Sequence, residues 1–233
     1  MAYTTIDDST AYFEPKIYTG NGSAQTFSGF NFAPEMAWFK RRNAVVNHLL
    51  TDITLGTNWL IPDTTDAVST TSDAITSYTS DGYAIGANAR LNTNTGTYAS
   101  WNWKANGAGA SNEDGSINTT KTSASTTSGF SISTYTGTGA NATIGHGLGV
   151  APIMVICKKI SGGDGWFTYH EANGNDKYMF LNTTAAVSGS SAGFWNSTSP
   201  TSTTVSLGTN GAVNASSATY VAYCFADVQG YSK

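Results

Sequence analysis

Tyr220-Val-Ala-Tyr-Cys-Phe-Ala226 is the stretch that decides the fold. An earlier copy stands at Tyr98-Ala-Ser-Trp-Asn-Trp-Lys104. In both, apolar residues alternate with small ones, the period of a half-buried strand. Each follows a turn-rich run, Leu91-Asn-Thr-Asn-Thr-Gly-Thr97 in the first and Val213-Asn-Ala-Ser-Ser-Ala-Thr219 in the second. Setting Tyr98 on Tyr220 (220 − 98 = 122) also sets Asn92 on Asn214, Gly86 on Gly208 and Ile85 on Leu207. Agreement at one offset over this span reads as a tandem repeat, each copy closing with this strand.

The repeat extends outward from there. Tyr18-Thr-Gly-Asn-Gly22 returns as Tyr135-Thr-Gly-Thr-Gly139, and Ala33-Pro-Glu-Met-Ala-Trp-Phe-Lys40 as Ala151-Pro-Ile-Met-Val-Ile-Cys-Lys158. Asp63-Thr-Thr65 returns as Asn182-Thr-Thr184. The offset drifts from 117 (135 − 18) to 122, so the insertions between copies are small and fall in loops. No segment carries a helical period with caps. Each copy offers short strands separated by Gly, Asn, Asp and Ser clusters, the spacing of an antiparallel sandwich. The expected fold is therefore all-β, two tandem antiparallel β-sandwich domains of jelly-roll-like type arising from internal duplication. The expected boundaries are 1–105 for the first repeat, 106–128 for a Gly/Ser/Thr/Asn-rich linker and 129–233 for the second. Residues 1–10 read as a polar arm, and Ser116-Ile-Asn-Thr-Thr-Lys121 as a candidate added edge strand inside the linker.

Composition narrows the function classes. Charged residues make up only 11% of the 233, well below the usual quarter, while aromatics reach 12%. A disordered chain would be poor in aromatics, so these residues supply cores. The formal net charge is −4, and the longest basic run is Lys40-Arg-Arg42. That disfavours a nucleic-acid partner held through phosphates. No apolar stretch approaches the ~20 residues of a membrane-spanning helix. The start, Met-Ala-Tyr-Thr-Thr-Ile-Asp-Asp, lacks the basic and apolar regions of a signal peptide, so the expected place of synthesis is the cytoplasm. Low charge leaves few gatekeeper lysines at sheet edges, which points to edges covered by the other copy or another subunit. A homo-oligomer is expected, with a trimer as the working guess.

No catalytic constellation stands out. His146, in Gly145-His-Gly-Leu-Gly149, has no partners at metal-ligand spacing and reads as part of a turn. His48 lies near Asp52 and His170 beside Glu171, pairs that would orient a base, but no nucleophile setting accompanies them. Asn112-Glu-Asp-Gly115 is a fragment of a calcium-loop pattern without its distal glutamate. Cys157 and Cys224 fall in apolar runs and read as buried free thiols, since their first-copy counterparts are Phe39 and Asn102. No cofactor and no metal are expected, and the chain is not expected to be an enzyme. Trp38, Trp101, Trp103 and Phe225 occupy strand centres and read as core. Trp59, Tyr78, Trp166, Tyr169 and Trp195 flank polar loops and form the candidate surface contact, suited to core packing, to a protein partner or to a sugar ring.

Tyr18 to Gly22, Gly29-Phe30, Ala33-Pro34, the apolar run to Lys40 and the closing Tyr98 to Lys104 together resemble a repeat of tailed-phage structural proteins. That repeat is widespread in viruses of marine bacteria and cyanobacteria. Gly129-Phe-Ser-Ile-Ser-Thr-Tyr-Thr-Gly-Thr-Gly139, Gly145 to Gly149 and Tyr220 to Ala226 resemble it more closely, and the likeness covers roughly residues 11–230. It implies a non-enzymatic virion surface protein, tail- or fibre-associated, whose partners are other virion proteins and a host surface glycan. It supplies no catalytic residues. With two copies and no coiled-coil heptads, a head decoration protein is the alternative. A glycan-degrading enzyme using Asp52 and Glu171 is a third reading, from a different class.

Overall fold

The computed structural model describes residue 4, residues 6–189 and residues 192–232, and over them the chain is all-β, built from several antiparallel sheets. In the first half, the strands are β1 (Phe13–Thr19), β2 (Gln25–Phe27), β3 (Met36–Arg41), β4 (Leu49–Asp52), β5 (Ile75–Thr79), β6 (Gly82–Ile85) and β7 (Thr97–Trp103). A one-turn helix, α1 (Ala89–Asn92), precedes β7. The second half contains β8 (Lys121–Ser125), β9 (Phe130–Thr136), β10 (Ala142–Gly145), β11 (Pro152–Lys159), β12 (Trp166–His170), β13 (Met179–Phe180), β14 (Thr204–Leu207) and β15 (Thr219–Ala226). Its short helices are α2 (Ala192–Trp195) and α3 (Gly211–Asn214).

Strand order in the larger sheet of the first half is β1-β7-β3-β4, and in the second β13-β12-β11-β15-β9-β8. The smaller sheets run β2-β6-β5 and β10-β14. The two closing strands sit centrally, β7 between β1 and β3, and β15 between β9 and β11. Register matches as well: β1 pairs Tyr18 with Tyr98, and β9 pairs Tyr135 with Tyr220. Each tyrosine pair stacks at 5.1 Å, with ring planes 15° and 16° apart. Tyr18 donates to the Leu91 carbonyl and Tyr135 to that of Val213, both at 2.7 Å. Asn92 and Asn214, both fully buried, close the preceding loops alike. Asn92 donates to the Gly86 carbonyl at 2.7 Å and Asn214 to that of Gly208 at 2.9 Å. Each amide oxygen accepts one backbone N–H, Asn21 at 3.0 Å and Thr138 at 2.8 Å. A buried backbone group without a partner is costly, so these asparagines fix the loop path.

Three apolar cores stack through the molecule. Phe39 and Leu49 from the β1-β7-β3-β4 sheet meet Ile75, Tyr83 and Ile85 from the small sheet of the first half. Tyr135, Val155 and Tyr220 meet Ile144, Val205 and Leu207 in the second half. Between the halves, the remaining faces of the two larger sheets pack on each other: Met36, Leu50 and Leu60 against Ile132, Trp166 and Tyr223. The six-stranded sheet is thus covered on both faces at β15, whereas β1 at the edge of the other sheet keeps an exposed face, with Ile17 74% exposed. Cover on both faces explains near-continuous burial along β15, where alternation alone predicted one wet face.

Residues 106–128, linker-like in composition, are folded into this body. β8 pairs with β9 as the outer strand of the six-stranded sheet, and Ile117 bridges Ile144. The strand thus begins at Lys121, where the candidate edge strand ends. Its hydroxyls carry the backbone: Ser123 Oγ donates to the Gly107 carbonyl at 2.7 Å and accepts from Asn106 N at 2.8 Å. Buried Glu35 anchors the same segment, accepting from the backbone N–H groups of Ala105 and Gly107. Of the polar arm, Ser9–Ala11 form a single 3-10 turn capped by Asp8, while residues 1–3 and 5 lie outside the described residues.

Candidate functional site

The acid–base candidates are engaged in holding the chain. Asp52 is fully buried on β4 and accepts from Thr54 N at 2.8 Å, Thr54 Oγ1 at 2.5 Å and Leu55 N at 3.1 Å. Its other oxygen accepts from the Tyr223 hydroxyl at 2.7 Å, across the seam between the halves. Burial raises its carboxyl above the ordinary value, and these donors pull it back only in part. His48 accepts at Nδ1 from the Trp38 indole at 2.9 Å, and burial lowers its pKa. His170 Nδ1 accepts from Ala172 N at 3.2 Å, capping the 3-10 turn Glu171–Asn173. His146 is fully buried: Nδ1 accepts from Leu148 N and Nε2 donates to the Thr201 carbonyl, both at 3.2 Å. Desolvation lowers its pKa, against the pull of the Thr201 carbonyl and Asp114. Asn112 Oδ1 accepts from Asp114 N at 3.0 Å, an Asx turn. Among the described residues no three His, Cys, Asp or Glu side chains group for a metal ion. Cys157 and Cys224 are buried free thiols whose pKa values burial pushes up to about 12.

The candidate surface aromatics are placed inside instead. Trp59 is 6% exposed, Trp166 0%, Tyr169 3% and Trp195 1%. Backbone carbonyls, from the same half for Trp59 and Trp195 and from the other half for Trp166, accept from the indole N–H groups. Trp59 donates to the Thr71 carbonyl at 3.1 Å, Trp166 to that of Ile61 at 3.2 Å and Trp195 to that of Lys177 at 3.0 Å. Tyr78 is half-buried, with its hydroxyl 3.0 Å from Thr51 Oγ1. These five therefore present no binding platform. The sequence reading is reversed in the other direction too, because Trp38, Trp101, Trp103 and Phe225 are only half-buried.

The seam also carries polar clamps. Lys158 is fully buried, its ammonium donating to the carbonyl of Thr65 from the first half at 3.1 Å and to that of Asp164 at 2.6 Å. Desolvation lowers its pKa to about 8, against the pull of Asp164 and Asp66. Val68 N donates to the Ile160 carbonyl at 3.2 Å, and Lys121 Nζ to that of Thr54 at 3.2 Å.

Two clefts lie along the seam and share Trp103 and Phe225 as lining residues. One cleft, of about 250 Å³, runs between Met36 and Trp38 on one wall and Met154, Ile156 and Leu181 on the other. Its neighbour, of about 220 Å³, lies among Phe13, Phe130 and Tyr231. The ring pairs Phe13–Trp103 and Phe130–Phe225 each sit 4.9 Å apart, forming two aromatic walls. Ser128, 2% exposed, lines the second cleft, and its hydroxyl has no hydrogen-bond partner. The Thr168 hydroxyl, buried beside Ile156 in the sheet register, is likewise unpaired. The sequence carried little signal for this second packing face, because alternation along the strands reads as one wet face.

A family model described as a domain of unknown function (DUF7483) matches residues 8–233. No curated protein matches the chain. No solved structure matches it either.

Proposed function

The chain belongs to the DUF7483 family, and from that premise we propose a non-enzymatic structural protein on the surface of a phage virion. In this reading it is tail- or fibre-associated, touches the host or its surface glycans, and assembles with other virion proteins and with further copies of itself. The observation that carries the reading is the use made of its reactive side chains. Asp52, His48, His146, His170 and Lys158 each serve to fix a loop, a turn or the seam between halves. A chain that spends its ionisable groups this way is suited to a load-resisting body. The phage assignment itself rests on the resemblance of Tyr18 to Gly22, Gly145 to Gly149 and the two closing strands to virion repeats.

The finer architecture belongs to the same proposal: two tandem, jelly-roll-like sandwiches derived from one ancestral unit by duplication. Supporting it are the matched tyrosine stacks, the matched buried asparagines and the matched strand orders around β7 and β15. A second reading, head decoration protein, is favoured by the stacking of all three cores into one block with no extended shaft among the described residues. Immunogold labelling of intact virions with an antibody against this chain tests both. Label at the tail supports host contact, label over the head supports decoration, and absence of label from the particle contradicts the proposal.

A further inference from the structure

We propose that β1 is the edge on which two copies of this chain meet, their β1 strands pairing antiparallel about a two-fold axis at Ile17. The inference deepens the part of the virion reading in which the chain assembles with copies of itself, and rests on that part alone. The edges come first. At the ends of the two larger sheets, β4 is bridged by Leu60, β8 by Ala110, and Tyr178, beside β13, by Ser188. β1, seven residues long, pairs with β7 on one side and with no strand on the other. Lys104 N donates to the Tyr12 carbonyl and Gly20 N to that of Gly96, so the even-numbered residues of β1 turn their backbone groups to β7. The odd-numbered ones, Phe13, Pro15, Ile17 and Thr19, turn theirs outward. Among the described residues no hydrogen bond reaches the outward groups of Ile17, and its side chain is 74% exposed. An unpaired edge of this kind is a template for another strand.

The residues of β1 then select the partner and the register. Outward groups of two copies meet only when odd residues face odd ones. Centring the pair on Pro15 sets two prolines opposite each other, and neither has an N–H to give. Centring it on Lys16 sets two ammonium groups opposite each other, which is unfavourable. Centring it on Tyr18 leaves residues 17–19 alone overlapping and aims the Ile17 N–H at the Thr19 carbonyl, which already accepts from Gln25 Nε2 at 3.4 Å. Centring it on Ile17 avoids all three. Ile17 then exchanges both backbone bonds with Ile17 of the second copy, and Thr19 N–H donates to the Pro15 carbonyl of the second copy. The donor that Pro15 lacks would have gone to the Thr19 carbonyl, the one Gln25 serves. Lys16, 3.4 Å from Glu14 in its own strand, faces Tyr18 rather than another charge. A strand whose missing donor matches its own occupied acceptor is complementary to itself, and this makes a second copy the partner. Such a pairing is isologous and closes at two, so a dimer takes the place of the trimer guessed from sequence.

Sedimentation of the full chain over a concentration series is the test. The expected result is a reversible monomer–dimer equilibrium. Ile17→Lys sets like charges face to face at the axis and should raise the dissociation constant at least about tenfold. Ile17→Cys gives a second readout. Residues of a hydrogen-bonded antiparallel pair stand about 5.5 Å apart at Cα, within disulfide reach, so mild oxidation should trap a covalent dimer. Cys157 and Cys224 are buried and do not compete. Circular dichroism confirms that each variant is folded; should Ile17→Lys fail to fold, the Ile17→Cys trap decides. A wild type that stays monomeric at every concentration overturns the proposal together with self-assembly. A dimer or trimer that forms unchanged in folded Ile17→Lys overturns the proposal and leaves self-assembly through another surface standing. So does an Ile17→Cys chain that yields no covalent dimer where the wild type dimerises.

Discussion

Replacing Tyr223 by Phe removes one oxygen atom from the seam, and its cost follows from the geometry. The hydroxyl donates at 2.7 Å to Asp52, a side chain with 0% exposure that receives its other bonds at the opposite oxygen. Without Tyr223, that oxygen stays buried beside a ring edge with no donor to replace it. Hydrogen bonds to charged groups contribute about 1.5–3 kcal/mol and neutral ones about 0.5–1.5. The bond is fully buried, so a loss of about 2 kcal/mol, near where the two ranges meet, is expected. Urea denaturation followed by tryptophan fluorescence measures it. The slope should stay that of the wild type and the midpoint should fall, since the surface exposed on unfolding is unchanged. Asp52→Asn in a double-mutant cycle should show coupling with Tyr223→Phe. A midpoint unchanged by Tyr223→Phe, or additive single losses, would refute the claim that this bond ties the halves together.

Other expectations follow from the same contacts. Asn92→Ala and Asn214→Ala each strand two carbonyls and an N–H in a buried loop, so each should cost about 3 kcal/mol in chemical denaturation, with similar values for the pair. Gly20→Ala and Gly137→Ala should both destabilise strongly, since an added Cβ would lie 2.3 Å from the Thr93 carbonyl oxygen and 2.4 Å from that of Ala215; thermal melts check this. Lys158, lowered in the fold from 10.5 to about 8, binds its proton less tightly when folded. Its contribution therefore grows as pH rises from about 8 toward the unfolded value. The stability of the wild type relative to Lys158→Met should increase by about 2–3 kcal/mol between pH 8 and 10. A flat difference over that window contradicts the assignment. Native protein should not react with a thiol reagent at neutral pH, because burial holds both thiols near 12, and both should react once it is unfolded in urea.

Much of the fold was legible in the sequence, and the reasons are specific. The closing strands announced themselves by alternation, and the tyrosines at matched offsets, Tyr18 with Tyr135 and Tyr98 with Tyr220, occupy equivalent register positions, Tyr18 opposite Tyr98 and Tyr135 opposite Tyr220. Local pattern carries that information because register and turn chemistry are local. The seam was not legible. Alternation was read as one wet face, whereas Met36, Ile156 and Tyr223 on the second face are covered by the other half, a contact across more than a hundred residues. The exchange of roles between tryptophans has the same origin. Trp166 sits beside a polar loop in sequence, but Ile61 of the other half closes over it, while Trp103, at the end of β7, lines a cleft at the seam. Composition also misled over residues 106–128. Glu35, distant in sequence and unremarked, holds the backbone that Gly and Ser alone would leave loose.

The seam between the halves carries the two clefts, buries Asp52 and Lys158 and makes the chain one body. Scanning calorimetry of the intact protein tests it most directly. Halves that share a core unfold together, so the account predicts a single transition whose calorimetric and van't Hoff enthalpies agree. Two separable transitions, with Tyr223→Phe moving only one of them, would contradict it.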